Sequence, residues 1–433
     1  MFALIDGNNF YVSCERVFQP SLIGRPVVTL SNNDGCAIAR SNEAKDIGIK
    51  MGQPWFEFLH LEKEAGLVVL SSNFALYGDM SNRMMSIAAN LGPTQEIYSI
   101  DESFVGLHGV GGDLAKRAHE TQARILKWTG IPCGVGIGST KTRAKLANHI
   151  AKTAERKPGS YPVELATVCH FESLPPSDVD AIMAATDVGE VWGVGRQISK
   201  QLKALGICSV LDLARLSPSL VRKRWSVVLE RTVRELQGEP CISLDEAPPP
   251  KQQIACTRSF GQPISTVRPL VQAVSDFASR AAEKLREQNS VAGEVLVFAH
   301  TSPFREGPQF SRQTMIKMMR PTADTRLLVK AASDGITSIY RPGYQLIKAG
   351  VMLLDIIPAT VRQGELDFGD AASPGKANLM AALDALNQRF GRSTVGIASA
   401  GLPKSNRVWR MKQERLSRHY TTSWTGLPIA RAS

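Results

Sequence analysis

Two adjacent acids sit inside an apolar run, and few folds accept that. Tyr98-Ser99-Ile100-Asp101-Glu102-Ser103-Phe104 has the content of a half-buried strand but carries a carboxylate pair. Successive strand side chains point to opposite faces, so Asp101 and Glu102 serve one point only at a bend or a strand end. A divalent cation is the usual reason to collect carboxylates in such a place. A second apolar strand, Phe2-Ala3-Leu4-Ile5-Asp6, also ends in an acid and is followed by Gly7-Asn8-Asn9. Set side by side, these strand ends bring three carboxylates together, enough to hold two Mg²⁺ for phosphoryl transfer. A turn acid next to a surface hairpin has the same local sequence.

The chain has 433 residues, which implies several domains with room for proper cores. A net charge of +11 favours a polyanionic partner without saying which. The charge is uneven: residues 1–110 hold 7 Lys+Arg against 12 Asp+Glu, and residues 376–433 hold 10 against 2. An acidic head would hold metals, and basic later domains would hold phosphates. The seven cysteines (14, 36, 133, 169, 208, 241 and 256) show no Cys-x-x-Cys spacing, and the histidines form no ligand-like pair. Zinc is therefore not expected, and reduced thiols are. No signal peptide and no run of about 20 apolar residues is present, so a cytoplasmic protein without a membrane span is expected.

Along the chain, Pro26–Leu30 reads as a strand and Ser31–Gly35 as a turn. Cys36–Arg40 leads into a helix-like stretch over 41–47, ended by Gly48. Arg40, Lys45 and Lys50 form a basic patch that suits a triphosphate. Further helices are expected from Tyr77 to Ala88 and over 112–129. The run Cys133-Gly134-Val135-Gly136-Ile137-Gly138 has the look of a phosphate loop but lacks Gly-x-x-x-x-Gly-Lys-[Ser/Thr], so a strand turning into a helix over 142–152 is expected. Lys141, Lys145 and Lys152 share one face of that helix, which serves either phosphate contact or a solvated surface.

Val191-Trp192-Gly193-Val194-Gly195-Arg196 followed by a helix has the helix-hairpin-helix pattern, in which glycines admit DNA phosphates to backbone N–H groups. A tight helix turn without a ligand is the plain alternative. Residues 245–253 read as a linker. After it, Arg258-Ser259-Phe260-Gly261, a helix at 267–289 and strands near 292–299, 313–319 and 346–356 suggest a compact α+β domain. Gln363-Gly364-Glu365-Leu366-Asp367-Phe368 offers two apolar anchors in a polar tether, the form of a docking peptide. A helix at 376–390 opens the tail, where Trp409, Tyr420 and Trp424 among many bases point to an interface.

From the residues alone, a polymerase, a two-metal nuclease and a catalytically inactive DNA-binding scaffold all remain open. Taken together and in order, however, Asp6-to-Tyr11, Ser41-to-Lys45, Tyr98-to-Glu102, Lys141-to-Lys152, Gly193-to-Gly195, Gln363-to-Phe368 and Tyr420-to-Trp424 resemble the Y-family translesion DNA polymerases, and among these the UmuC type. The resemblance runs from Met1 to about Leu427. It implies an α+β multidomain right-hand polymerase: palm and fingers over 1–165, helix-hairpin-helix thumb over 166–240, linker over 241–251 and little finger over 252–358. A clamp-binding peptide and linker would follow over 359–375, then a UmuC-type C-terminal tail over 376–433.

It further implies that Asp6, Asp101 and Glu102, with the Gly7 carbonyl, hold two Mg²⁺, for which Mn²⁺ can substitute. Phe10 and Tyr11 would line the nucleotide, Tyr11 as the gate whose ring clashes with a ribose 2′-OH. Lys45 and Lys152, with Asn42, would meet the triphosphate; many family members carry Tyr and Arg where this chain has Asn42 and Lys45. Cys36 would cover the nascent base pair. Gly193, Gly195, Arg196 and Arg258 would contact DNA, and Gln363, Leu366 and Phe368 the sliding β clamp. Besides primer-template DNA and deoxynucleotides, the implied partners are a UmuD′ dimer and a RecA filament. The implied activity is error-prone synthesis in the SOS response, without proofreading, in the bacterial cytoplasm at the nucleoid.

Overall fold

The computed structural model describes residues 1–245, 249–361, 374–391, 393–401, 407 and 409–427. Two compact units emerge: Met1–Ser31 with Gly35–Pro248 and Arg415–Ser433, and Asn32–Asp34 with Pro249–Glu414. No described helix is long and apolar enough to cross a membrane.

The first unit is built on a five-stranded sheet with Phe2–Gly7 at its centre. This strand is buried at every position except Asp6, as its apolar run requires. It pairs antiparallel with Glu102–Gly106 on one side and Cys133–Gly138 on the other. Thr94–Ile97 and the parallel Val168–His170 form the edges. The strand's alternation assigns its faces. Ala3 and Ile5 join a core with the helices Phe10–Phe18, Phe74–Ala88 and Leu114–Thr129. Phe2 and Leu4 pack with Phe104 and Ala144 of the helix Lys141–Arg156 on the opposite face. By the same parity Asp6 lies on the side of that helix.

The glycines of Cys133–Gly138 serve this packing. A Cβ added at Gly136 would stand 2.1 Å from the Asn148 backbone nitrogen, so the helix can lie this close only over glycine. Thr140 caps the helix by accepting from Arg143 N.

Three shorter strands, Ala37–Arg40, Val27–Leu30 and Val68–Ser71, make a second sheet. They lead into the helix Asn42–Asp46, capped by the Ser41 hydroxyl and ended at Gly48 with φ 90°. The helices Pro176–Ala185, Arg196–Lys203, Val210–Ala214, Pro218–Arg224 and Val227–Leu236 share a core with Leu146, Ala147, Ile150 and Ala151. The first unit is completed by the far end of the chain. Leu416 bridges to Ser71, and Tyr420 is buried against Phe18.

The second unit holds a four-stranded antiparallel sheet in the order Ser311–Thr322, Ser290–Thr301, Leu346–Pro358, Ile254–Ile264. The helices Val267–Glu287 and Thr325–Ile339 contribute the apolar side of its core. The strand Ile254–Ile264 and the helix Thr325–Ile339 were not legible in the sequence. The tail helix Pro374–Phe390 is tied to this unit by two hydrogen bonds from Arg286 to Asp384, of 2.6 and 2.7 Å.

Two readings of aromatic and basic residues need correction. Trp409 is 1% exposed and packs edge-on against Phe277, and Tyr420 is 5% exposed, so both are core residues; of the three tail aromatics only Trp424 is open. Arg258, expected at DNA, places its guanidinium 5.9 Å from both the Phe277 and Trp409 rings, on the helix-covered side of the sheet. Its strand neighbours Thr257 and Ser259 point the other way by parity.

Candidate active site

Register brings the acids together. Asp6 stands directly opposite Glu102 in the antiparallel pair, and Gly7 N donates to the Asp101 carbonyl at 2.9 Å. Ser99 Oγ donates to Asp101 Oδ1 at 2.6 Å and receives the backbone N–H of Glu102, in a bend that precedes the strand Glu102–Gly106. Desolvation pushes the Asp6 carboxyl well above the usual carboxylate range; Lys152 opposes that shift, and the charges of Glu102 and Asp101 add to it.

The lysines of the helix Lys141–Arg156 reach these acids. Lys152 Nζ lies 2.8 Å from Asp6 Oδ1, and Lys145 Nζ lies 2.9 Å from both Glu102 oxygens. Lys145 also sits over the rings of Tyr98 and Trp192, at 4.8 and 5.6 Å. Lys141 departs from the expected basic face. It is 2% exposed and pairs with Glu96 at 2.7 Å, so it is a structural ion pair and not a phosphate contact.

A cleft of about 800 Å³ opens at this place, and its lining includes the acids Asp6 and Glu102 and the cations Lys45, Lys145, Lys152 and Arg156. Lys45 Nζ donates to Asn9 Oδ1 at 2.6 Å and to Asn42 Oδ1 at 3.4 Å. Asn9, in a left-handed conformation with φ 50°, donates in turn to Asn42. Burial and the like charges of Arg156, Arg40 and Lys152 pull the Lys45 ammonium down to about 8. Cations held close enough to suppress one another's protonation form a natural receptor for a polyanion.

Tyr11 stands beside Asp101, whose charge adds to burial in pushing the phenol up. Its ring stacks on Tyr77 at 4.4 Å. Phe10 is 3% exposed in the core, and a Cβ at Gly7 would meet its ring at 3.0 Å. It supports the Gly7 turn from below and has no surface to offer a nucleotide, which corrects the expectation for it. Cys36 lies apart from the cleft lining, bridged to Pro54 at the start of the strand Ala37–Arg40. Gly193 takes φ 89°, and nothing approaches within 4 Å of a Cβ built at Gly195. With the exposed Arg196 these glycines leave the N-terminus of Arg196–Lys203 open. Gln363, Leu366 and Phe368 lie outside the described residues.

Asn9, Arg156 and Trp192 escaped the sequence reading. Arg156 was within reach, being one helical turn beyond Lys152. Three carboxylates and a backbone carbonyl are a donor set for hard divalent cations, and the charges of Glu102 and Asp101 add to the upward shift that burial imposes on Asp6. Among the described residues no three acid, His or Cys side chains converge as a ready metal cage. Lys152 and Lys145 supply the positive charge there.

Comparison with known proteins gives the family. Residues 5–149 match the impB/mucB/samB family, residues 251–366 its C-terminal domain, and residues 377–430 a domain of unknown function, DUF4113. The chain is 44% identical to Protein ImpB of Salmonella typhimurium, over all of both chains. It is 45% identical to Protein UmuC of Salmonella typhimurium strain LT2, over 99% of each. DNA polymerase IV 2 of Mycobacterium bovis is 27% identical over 76% of this chain and 90% of its own. Among solved structures, a Y-family polymerase chimera, Dbh-Dpo4(243-245)-Dbh, superposes with a TM-score of 0.63 at 18% identity, covering 83% of this chain and 100% of the chimera. DinB from Sulfolobus solfataricus reaches 0.51 at 19% identity, with the same coverage. The chain belongs to the impB/mucB/samB family, the UmuC-type branch of the Y-family DNA polymerases.

Proposed function

We propose that this chain is the catalytic subunit of an error-prone translesion DNA polymerase. It is a DNA-directed DNA polymerase acting by template-directed nucleotidyl transfer without proofreading. The observation that carries the reading is one cleft that holds Asp6 and Glu102 together with a group of cations, Lys45, Lys145, Lys152 and Arg156. A nuclease requires the acids but not a crowded cation group beside them, and a scaffold requires neither.

Asp6, Asp101, Glu102 and the Gly7 carbonyl are the proposed metal ligands. Two bound Mg²⁺ or Mn²⁺ ions supply the positive charge that lowers the pKa of a primer 3′-OH and offsets charge on the leaving pyrophosphate. Lys45, Lys152 and Arg156 receive the triphosphate, whose charge relieves the repulsion among them. Asn42 and Asn9 hold Lys45 at its post. Tyr11 blocks a ribose 2′-OH by clash. Cys36, a small side chain over the nascent pair, leaves room for damaged bases and for mismatches alike. Gly193, Gly195 and Arg196 bind the DNA backbone.

Gln363, Leu366 and Phe368 are proposed as the peptide that binds the sliding β clamp. Such tethering raises the effective concentration of a weakly gripped primer end. The region 376–433 is proposed to meet a UmuD′ dimer and a RecA filament, with the enzyme working in the bacterial cytoplasm at the nucleoid.

Primer extension with the purified chain, Mg²⁺ and deoxynucleotides tests the reading. One arm adds UmuD′ and RecA, and the template is either undamaged or carries an abasic site. Extension that requires Asp6, Asp101 and Glu102 supports it. A shortened primer in both arms would assign the acids to a nuclease.

A further inference from the structure

Behind the ring of Tyr11 runs a line of contacts that ends in the last part of the chain. Tyr11 stacks on Tyr77 with ring centroids 4.4 Å apart and planes 13° from parallel. Tyr77 is fully buried, and its hydroxyl donates to Glu15 Oε1 at 2.7 Å. Glu15 is fully buried as well, and the same oxygen accepts from Ser417 Oγ at 3.0 Å. Glu15 Oε2 has no hydrogen-bond partner among the described residues. The carboxyl therefore depends on two donors, one of them from the chain's end. Losing either leaves a buried acid held by a single hydrogen bond.

Residues 415–420 grip both helices that carry the stacked rings. On the Tyr77 helix, Asn73 Nδ2 donates to Ser417 Oγ at 3.0 Å and to the Arg418 carbonyl at 3.1 Å. On the Tyr11 helix, Phe18 stacks on Tyr420 at 4.8 Å, and the adjoining Gln19 donates to the Tyr420 hydroxyl at 2.8 Å. Tyr11, Glu15 and Phe18 follow one another at helical spacing, so all three lie on one side of that helix. The segment itself is pinned at Ser71, whose N–H donates to the Arg415 carbonyl and whose Oγ accepts from Arg415 N, each at 3.0 Å, and by Arg415 pairing with Glu62 over the Trp55 ring.

We propose that the segment Arg415–Tyr420 positions the sugar-facing ring of Tyr11 through Ser417, Glu15 and Tyr77, and so sets how strictly the polymerase rejects ribonucleotides. Glu15, Tyr77 and Ser417 are positioning residues in this scheme and touch no substrate. The proposal rests on Tyr11 as the sugar gate. A ring that excludes by contact discriminates only while it is held still, because small displacements at a reacting site are costly.

The test is single-nucleotide insertion by the full chain with the accessory proteins present, comparing kcat/KM for a deoxynucleotide and its ribonucleotide. Tyr77→Phe keeps the stacked ring and removes the hydroxyl; Ser417→Ala removes the second donor. Each should lower the deoxy-to-ribo ratio about three- to tenfold, and the double variant no further than the larger single effect. Ile182→Val, in the separate helical core, controls for general destabilisation and should leave the ratio alone. Unchanged ratios in both variants, with Tyr11→Ala lowering the ratio, would overturn the coupling while leaving the gate in place. An unchanged ratio in Tyr11→Ala would overturn the gate and the coupling together.

Discussion

Lys152 Nζ lies 2.8 Å from Asp6 Oδ1, joining the first strand to the helix that covers it. Along that helix Lys145 pairs with Glu102 and Lys141 with Glu96, so three lysines expected at phosphates are each engaged by an acid. The pairs differ in kind. Lys141 and Glu96 are nearly buried and also meet Ser243 and Asp245, which makes them part of the frame. Lys145 and Lys152 are a quarter exposed and face the cleft. Only these two can exchange a carboxylate for an incoming phosphate.

Removing one acid should separate chemistry from binding. Asp101→Ala should lower nucleotide addition at least about a hundredfold, the scale on which loss of a charge-stabilising group acts. DNA affinity, read by fluorescence anisotropy, should be retained, since the thumb glycines and Arg196 are untouched. Primer extension at full rate in that variant would remove the acids from the mechanism.

Lys45 gives the cleft a pH signature. Its pKa is lowered to about 8, so the free enzyme carries the ammonium below that pH and loses it above. With Lys45 in its proposed role the triphosphate is drawn to the charged form, and kcat/KM for the deoxynucleotide should therefore fall as pH rises through about 8. Lys45→Arg stays protonated and should flatten that limb. A limb that persists unchanged in the arginine variant belongs to another group.

Gly136→Ala should unfold the palm at lower temperature. The added Cβ would meet backbone atoms of Asn148 and Ala144 at 2.1 and 2.2 Å, and backbone cannot swing aside as a side-chain end can. A cost of about 1–3 kcal/mol or more is the expectation for forced overpacking, read as a loss of thermal stability in a denaturation scan.

Replacing Leu366 and Phe368 by Ala should weaken β-clamp pull-down and leave distributive synthesis, measured without clamp, unchanged. Equal retention of both variants and parent on immobilised clamp would place that contact elsewhere.

The acidic strand ends were legible because an ionisable pair within an apolar run has few physical explanations. The helix beneath them was legible too, from the spacing of its lysines after a glycine-rich strand. What escaped is whatever depends on which way a face points. Lys141, Lys145 and Lys152 have equal standing in a helical wheel, yet only packing against Glu96 and Phe104 buries the first. Arg258 and its neighbour Thr257 differ by one step of strand parity, and a sequence without a known sheet face cannot rank them. Phe10 and Tyr11 are adjacent aromatics, and only the fold shows that Phe10 lies under Gly7. The bond between Ser417 and Glu15 joins polar residues 402 positions apart, and neither carries a local mark of the other.

That last separation is also an interval in time. Translation at roughly 5–20 residues per second puts on the order of 20–80 s between the synthesis of Glu15 and that of Ser417. Until Ser417 and Tyr420 are made, Glu15 lacks one of its two donors and the Phe18 ring lacks its stacking partner. Chains cut short before residue 420 would carry Asp6, Asp101 and Glu102 but leave the wall behind Tyr11 unfinished.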